Sequence, residues 1–225
     1  MTQSNARTRL GLDERRAQLI ELGRTLFNAR SYDEISIDDI AAAAGVSKGL
    51  LYHYFPSKRS FYIETVRTGA EQMTALTAAG EEYPPPERLD RALDAYIEYV
   101  EANAPAYATL LRSGIGSDSE VAAIVEDTRR VLIDRIVRGL GLTSPPAPLR
   151  IAMRAWIGFV EGASLEWIDH GGISKPELRS LLAQALQSAV TSAATVRRSA
   201  VEPTPAIKRA RPSTSVRRAP ARGKR

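Results

Sequence analysis

The 225-residue chain is 25% charged and 44% hydrophobic and contains no cysteine, which excludes disulfides, thiol nucleophiles and thiolate metal sites and fits a reducing compartment. It is long enough for one or two domains with a real core. The net charge of +5 is unevenly placed: residues 196–225 hold ten Lys and Arg against one acid, Glu202, a net +9, so residues 1–195 carry 21 bases against 25 acids, a net −4.

Between Asp13 and Ala194 the apolar residues recur at helical spacing and no alternating strand pattern is found, so the expected fold class is all-α. The first helix is predicted from Asp13, as N-cap, to Ala29, with Leu19, Ile20, Leu26 and Phe27 on one stripe and Gly23 between them to admit a neighbouring helix. Next comes SIDDIAAAA, in which Ser36 and Asp39 have capping-box spacing and Ile37, Ile40, Ala41 and Ala44 form an apolar face. Gly45 ends that short helix and Ser47 restarts the chain as an N-cap. Two short helices joined by a GVS turn make a helix-turn-helix. On the second, Leu51 and Phe55 can face inward, whereas Lys48, Gly49, Tyr52 and His53 lie on an adjacent polar and aromatic face.

These residues resemble the tetracycline-repressor (TetR) type of bacterial transcriptional regulators. The resemblance covers about Arg15 to Tyr62 and is most specific in SIDDIAAAAGVSKGLLYHYFPSKRSF. It departs at Leu50, where many members carry a small or hydroxylated residue. Beyond residue 62 it extends only to all-helical character and length. It implies a DNA-binding head over 13–62 and an effector-binding and dimerisation bundle over 63–195. A disordered basic tail over 196–225 follows from composition, being rich in Pro, Ala, Ser and Arg and poor in large apolar groups.

In a helix-turn-helix the second helix enters the major groove, and phosphate contacts fix its register. The expected DNA contacts are Ser36, Ser47, Lys48, Gly49, Leu50, Tyr52, His53 and Lys58. Ser47 and the free amides at its helix start suit a phosphate, Lys48 a guanine edge or a phosphate, Gly49 a close backbone approach and Leu50 a thymine methyl. Tyr52, His53 and Lys58 are expected to donate to phosphates, as the resemblance implies. Tyr54 is expected either to pack or to join them, and Arg7 and Arg9 either to follow the DNA backbone or to stay solvated.

Further helices are predicted over 57–79, 86–103, 104–112, 118–139, 146–169 and 175–195, the break before the second marked by PPPERLD and two later starts by Ser117 with Glu120 and Ser174 with Glu177. On the helix over 146–169, Ile151, Ala155, Gly158, Gly162 and Leu165 form a narrow stripe of small residues. With Leu178, Leu182, Ala185, Leu186 and Ala189 of the last helix, this stripe fits the two-helix dimer surface that the resemblance implies, the alternative being core within one chain. Met153 and Trp156, with Tyr96, Tyr99 and Tyr107, are expected to line a pocket for a small apolar or amphipathic effector, the alternative again being plain core.

No enzyme is expected. The two histidines, His53 and His170, have no metal-ligand spacing, and Glu161 and Glu166 lack a catalytic partner, so an ion pair is the expected role of each. No metal and no cofactor is expected, and no apolar run approaches the length of a membrane span. The expected protein is cytoplasmic, nucleoid-associated when bound to double-stranded operator DNA, and a homodimeric repressor. The competing expectation is a sequence-independent nucleoid binder acting through the basic tail, whose affinity would depend steeply on salt.

Overall fold

The computed structural model describes residues 3–78, 83–112 and 118–199, and these form nine α-helices and no strand. They are α1 (Gln3–Ala29), α2 (Ile37–Ala44), α3 (Lys48–Tyr54), α4 (Lys58–Leu76), α5 (Pro85–Ala102), α6 (Ala104–Arg112), α7 (Ser119–Gly139), α8 (Ala147–His170) and α9 (Lys175–Ser199). The predicted starts and stops hold to within a few residues, with one exception: α1 begins at Gln3 rather than Asp13. The side chains of Arg7 and Arg9 and the tail beyond Ser199 lie outside the described residues, as does Ser117.

The local chemistry sets the breaks. Ser36 and Asp39 close a reciprocal capping box at the start of α2, and Gly45 ends it at φ 62°, a left-handed conformation that a Cβ disfavours. The Gly45 amide donates to Ala42 O and the Val46 amide to Ala41 O, each at 3.1 Å, so two of the carbonyls in the last turn of α2 are satisfied within the turn. Ser47 then caps α3, its hydroxyl accepting from the Leu50 amide. A second box, Ser57 with Ser60, starts α4. Asp118, the neighbour of the expected Ser117, caps α7 by accepting from the Glu120 and Val121 amides.

Two cores result. The head core joins Leu19, Ile20 and Phe27 of α1 to Ile40, Leu51, Phe55, Phe61 and Tyr62, and it is completed by Val121 and Ile124 of α7. Packing therefore crosses the expected boundary at residue 62. Gly23 is where α1 meets α4: a Cβ there would stand 2.6 Å from the Phe61 ring and 2.7 Å from Thr65 Oγ1. The bundle core joins α5, α7, α8 and α9 around Met153, Trp156, Ile157, Leu178, Leu182 and Leu186.

That second core corrects two expectations. Leu178, Leu182 and Leu186 are buried within their own chain, because α9 turns its leucine stripe onto α8 and α5, so they are unavailable to a partner. Met153 is fully buried, and the Trp156 indole donates to Leu182 O at 3.0 Å, so both belong to the α8–α9 seam. The small-residue side of α8 behaves differently: Ala155, Gly158 and Gly162 are exposed, Ile151 is 70% and Phe159 42% exposed, and Leu165 is half-buried.

Candidate nucleic-acid interface and internal cavity

α3 is anchored from one side. Leu51 and Phe55 are buried in the head core, and Tyr54 is half-buried with its ring against Phe55 and His53. The opposite side carries Lys48, Gly49, Leu50, Tyr52 and His53, all exposed, with Leu50 at 38% and Tyr52 at 45%. A seven-residue helix that leaves a leucine and a tyrosine in water beside a lysine and a histidine presents a mixed surface suited to bases and phosphates. Gly49 has nothing but Ser47 Oγ, at 4.0 Å, near the position a Cβ would take, so its backbone is open to close approach.

Lys48 is oriented by a neighbour in its own chain. Its Nζ lies 2.8 Å from Asp38 of α2, a contact that raises the ammonium pKa and holds the charge at the start of α3. Two other expected contacts are used elsewhere. The Ser36 hydroxyl donates to Asp39 Oδ2 at 2.7 Å and accepts from the Asp39 amide, so its one proton is committed to the capping box. Lys58 points inward: its Nζ donates to Tyr32 O at 2.8 Å and to Ile35 O at 2.9 Å and sits over the Tyr32 ring. It fastens the α1–α2 loop and does not project toward a phosphate.

Behind the head lies a cavity of about 140 Å³. Its wall takes Phe27, Tyr32 and Tyr62 from the head, Tyr96, Tyr99 and Tyr107 from α5 and α6, and Ile157, Val160 and Glu161 from α8. Phe27, Tyr32 and Tyr62 also pack on one another within the head, with centroids 4.9 to 6.3 Å apart, Tyr62 meeting the other two rings edge-on. Of the expected pocket residues the three tyrosines are on the wall and Met153 and Trp156 are not. Sequence reasoning missed Arg24 and Arg129, because nothing local marks a cation as facing inward.

The polar groups of the wall are ordered. Arg129 grips Glu161 through two contacts of 2.7 and 2.8 Å, which makes the expected ion-pair role of Glu161 concrete. Glu166 pairs with His170 at 3.2 Å on the surface. Tyr96 Oη meets Tyr107 Oη at 2.6 Å and Ser164 Oγ at 3.1 Å. Burial pushes the Tyr96 hydroxyl up to about 12 and raises Tyr107 well above its ordinary value. Both rings therefore remain neutral at physiological pH.

Among the described residues no cluster of His, Asp or Glu could hold a metal ion, and no helix is long and apolar enough to cross a membrane. Residues 19–65 match the family described as bacterial regulatory proteins of the tetR family, and residues 85–189 match the tetracyclin repressor-like C-terminal domain. A solved TetR-family regulator from Streptomyces coelicolor is 33% identical, with a TM-score of 0.77 over 83% of this chain and 85% of that one. The transcriptional activator FasR of Mycolicibacterium smegmatis is 29% identical over 135 residues, 57% of this chain and 59% of that protein. The transcriptional repressor KstR2 of Rhodococcus jostii is 40% identical over 67 residues, 30% of this chain and 33% of that protein. The chain thus spans less than two thirds of these two curated relatives. With both halves matched and a solved relative aligned over most of its length, the protein belongs to the TetR family of DNA-binding transcriptional regulators, which are not enzymes.

Proposed function

We propose that the protein is a homodimeric repressor that binds a palindromic operator through α3 and loses affinity when a small apolar or amphipathic molecule fills the cavity. The observation that carries this is the shared wall. Phe27, Tyr32 and Tyr62 belong at once to the cavity and to the aromatic packing of the head. An occupant that displaces those rings shifts the loop held by Lys58, and with it the seating of α2 and α3. Differential affinity for the two arrangements is all that a ligand needs to shift their populations.

On this reading Lys48, Gly49, Leu50, Tyr52 and His53 meet the DNA, Ser47 presents its helix start to a phosphate, and the exposed side of α8 with Ala155, Gly158 and Gly162 forms the dimer seam. A dimer suits the task because one short recognition helix reads few bases and a twofold pair reads two half-sites. The site of action is the cytoplasm, on the nucleoid.

The test is footprinting of the purified protein on DNA from upstream of its own gene, against scrambled DNA of equal length, at physiological salt. A discrete protected palindrome, bound much more tightly than the scramble and linked to lower expression of the adjacent gene, is expected. Equal affinity for both DNAs would refute operator recognition by α3, and higher expression would make the output activation.

A further inference from the structure

The hydroxyls on the bundle side of the cavity form a chain that runs one way. Ser164 Oγ donates its single proton to Val160 O at 2.8 Å, since a carbonyl can only accept. Tyr96 must then be the donor in its contact with Ser164, which spends the Tyr96 proton. Tyr107 must therefore donate to Tyr96 across 2.6 Å. The Tyr107 oxygen is left with lone pairs and no proton to offer. Tyr99 is in the same condition, because its hydroxyl donates to Gly69 O at 3.0 Å. The head-side rings differ: Tyr32 and Tyr62 make no hydroxyl hydrogen bond among the described residues, so the acceptor character belongs to the bundle end.

The charges on the wall are matched in pairs. Arg129 is forked onto Glu161, and Arg24 lies 2.9 Å from Glu21 and 3.4 Å from Asn103 Oδ1. Nothing in these pairs calls for a formal charge on an occupant. The volume of about 140 Å³ is close to the roughly 150 Å³ of an apolar cavity able to hold benzene. A ring-sized molecule is therefore of the right size to probe it.

We propose that the effector is an uncharged, compact, mainly apolar molecule bearing a hydrogen-bond donor, an alcohol, phenol or N–H group, which it gives to the Tyr107 oxygen. This rests on the effector reading above and adds the polarity of the ligand. Tyr107 is the specificity-determining residue, and Tyr96 and Ser164 are positioning residues that fix the direction of its proton.

The experiment is NMR titration of the full-length protein with phenol, fluorobenzene and benzaldehyde, for the wild type, Tyr107→Phe and Tyr96→Phe. Tyr107→Phe leaves no buried donor without its acceptor, and Tyr96→Phe leaves only the hydroxyl of Tyr107, a residue of the cavity wall, so both variants should fold, which thermal melting checks. Wild type should bind phenol roughly fivefold more tightly than fluorobenzene, the worth of one neutral hydrogen bond. Tyr107→Phe should bring that ratio to about one. Tyr96→Phe frees the Tyr107 proton, so benzaldehyde, an acceptor, should gain severalfold over wild type. Equal binding of phenol and fluorobenzene, a preference that survives Tyr107→Phe, or an unchanged benzaldehyde affinity in Tyr96→Phe would overturn the proposed polarity while leaving the effector cavity in place. No binding of any probe at millimolar concentration would overturn the cavity reading as well.

Discussion

Lys48 and Lys58 carry the same charge, yet they sit in opposite surroundings. Lys48 stands exposed beside Asp38 at the start of α3, whereas Lys58 is turned onto the carbonyls of Tyr32 and Ile35. Replacing Lys48 with Ala should weaken operator binding and lower the slope of log affinity against log salt by about 1, the loss of one phosphate neutraliser. Lys58→Met should leave that slope unchanged and instead cost roughly 1–3 kcal/mol of stability, because two carbonyls lose a charged donor. Salt titrations and denaturant melts of the two variants separate these outcomes, and a slope change in Lys58→Met would restore it to the DNA face. The sequence marks both residues as cations, but the carbonyls that claim Lys58 arrive from a distant loop, so its direction was not legible. Gly23 was legible because a glycine inside an apolar helical stripe has few other uses. Its Cβ would fall 2.6 Å from the Phe61 ring, so Gly23→Ala should destabilise the head by about 1–3 kcal/mol despite alanine's better helix propensity. A denaturation midpoint at or above that of wild type would contradict this close packing.

At the scale of elements, α7 ties the head to the bundle. Its first turns supply Val121 and Ile124 to the head core, and its cap, Asp118, takes two contacts of 2.7 Å from Arg59 of α4. The Arg59 guanidinium holds the Asp118 carboxyl down at about 2. Because the folded pKa lies below the unfolded value of about 3.9, the contribution is fully present above about pH 4 and is lost as pH falls toward 2. Asn is as good an N-cap as Asp, so Asp118→Asn removes the charge and keeps the cap. Hydrogen exchange of the first turn of α7 should speed up in this variant at neutral pH, and the extra acid sensitivity of wild type below pH 4 should disappear. Identical exchange in the two proteins would mean that apolar packing alone holds the strap. Caps and breakers made these elements readable: Ser36 with Asp39, the left-handed Gly45 and the prolines at the start of α5 each act within a few residues. The α7 cap shifted by one residue because Asp118 and Ser117 are adjacent candidates. The start of α1 was missed because Gln3–Leu12 contains no proline to break a helix.

For the whole molecule, the homodimer proposed above requires an apolar face that meets a second copy. Periodicity showed that α8 and α9 each carry a stripe, but it could not show which stripe faces inward, since that depends on the helix opposite. The buried stripe proves to be Leu178, Leu182 and Leu186 against Met153 and Trp156, and the exposed one is the small-residue side of α8. Gly158 and Gly162 offer a discriminating test. A Cβ at either position meets nothing within 4 Å in its own chain, so a side chain there costs the protomer nothing and removes the flexibility of a mid-helix glycine. Across a close helix–helix seam the same side chain would hold the partner away. Gly158→Leu should therefore raise or preserve the melting temperature of the protomer, sediment as a monomer, and bind a palindromic operator about 100-fold more weakly, because the second half-site would no longer be engaged intramolecularly. A variant that still sediments as a dimer would move the interface off this face of α8. A monomer that kept full operator affinity would show instead that one head suffices, and that the pairing of two half-sites is not what gives this regulator its grip on DNA.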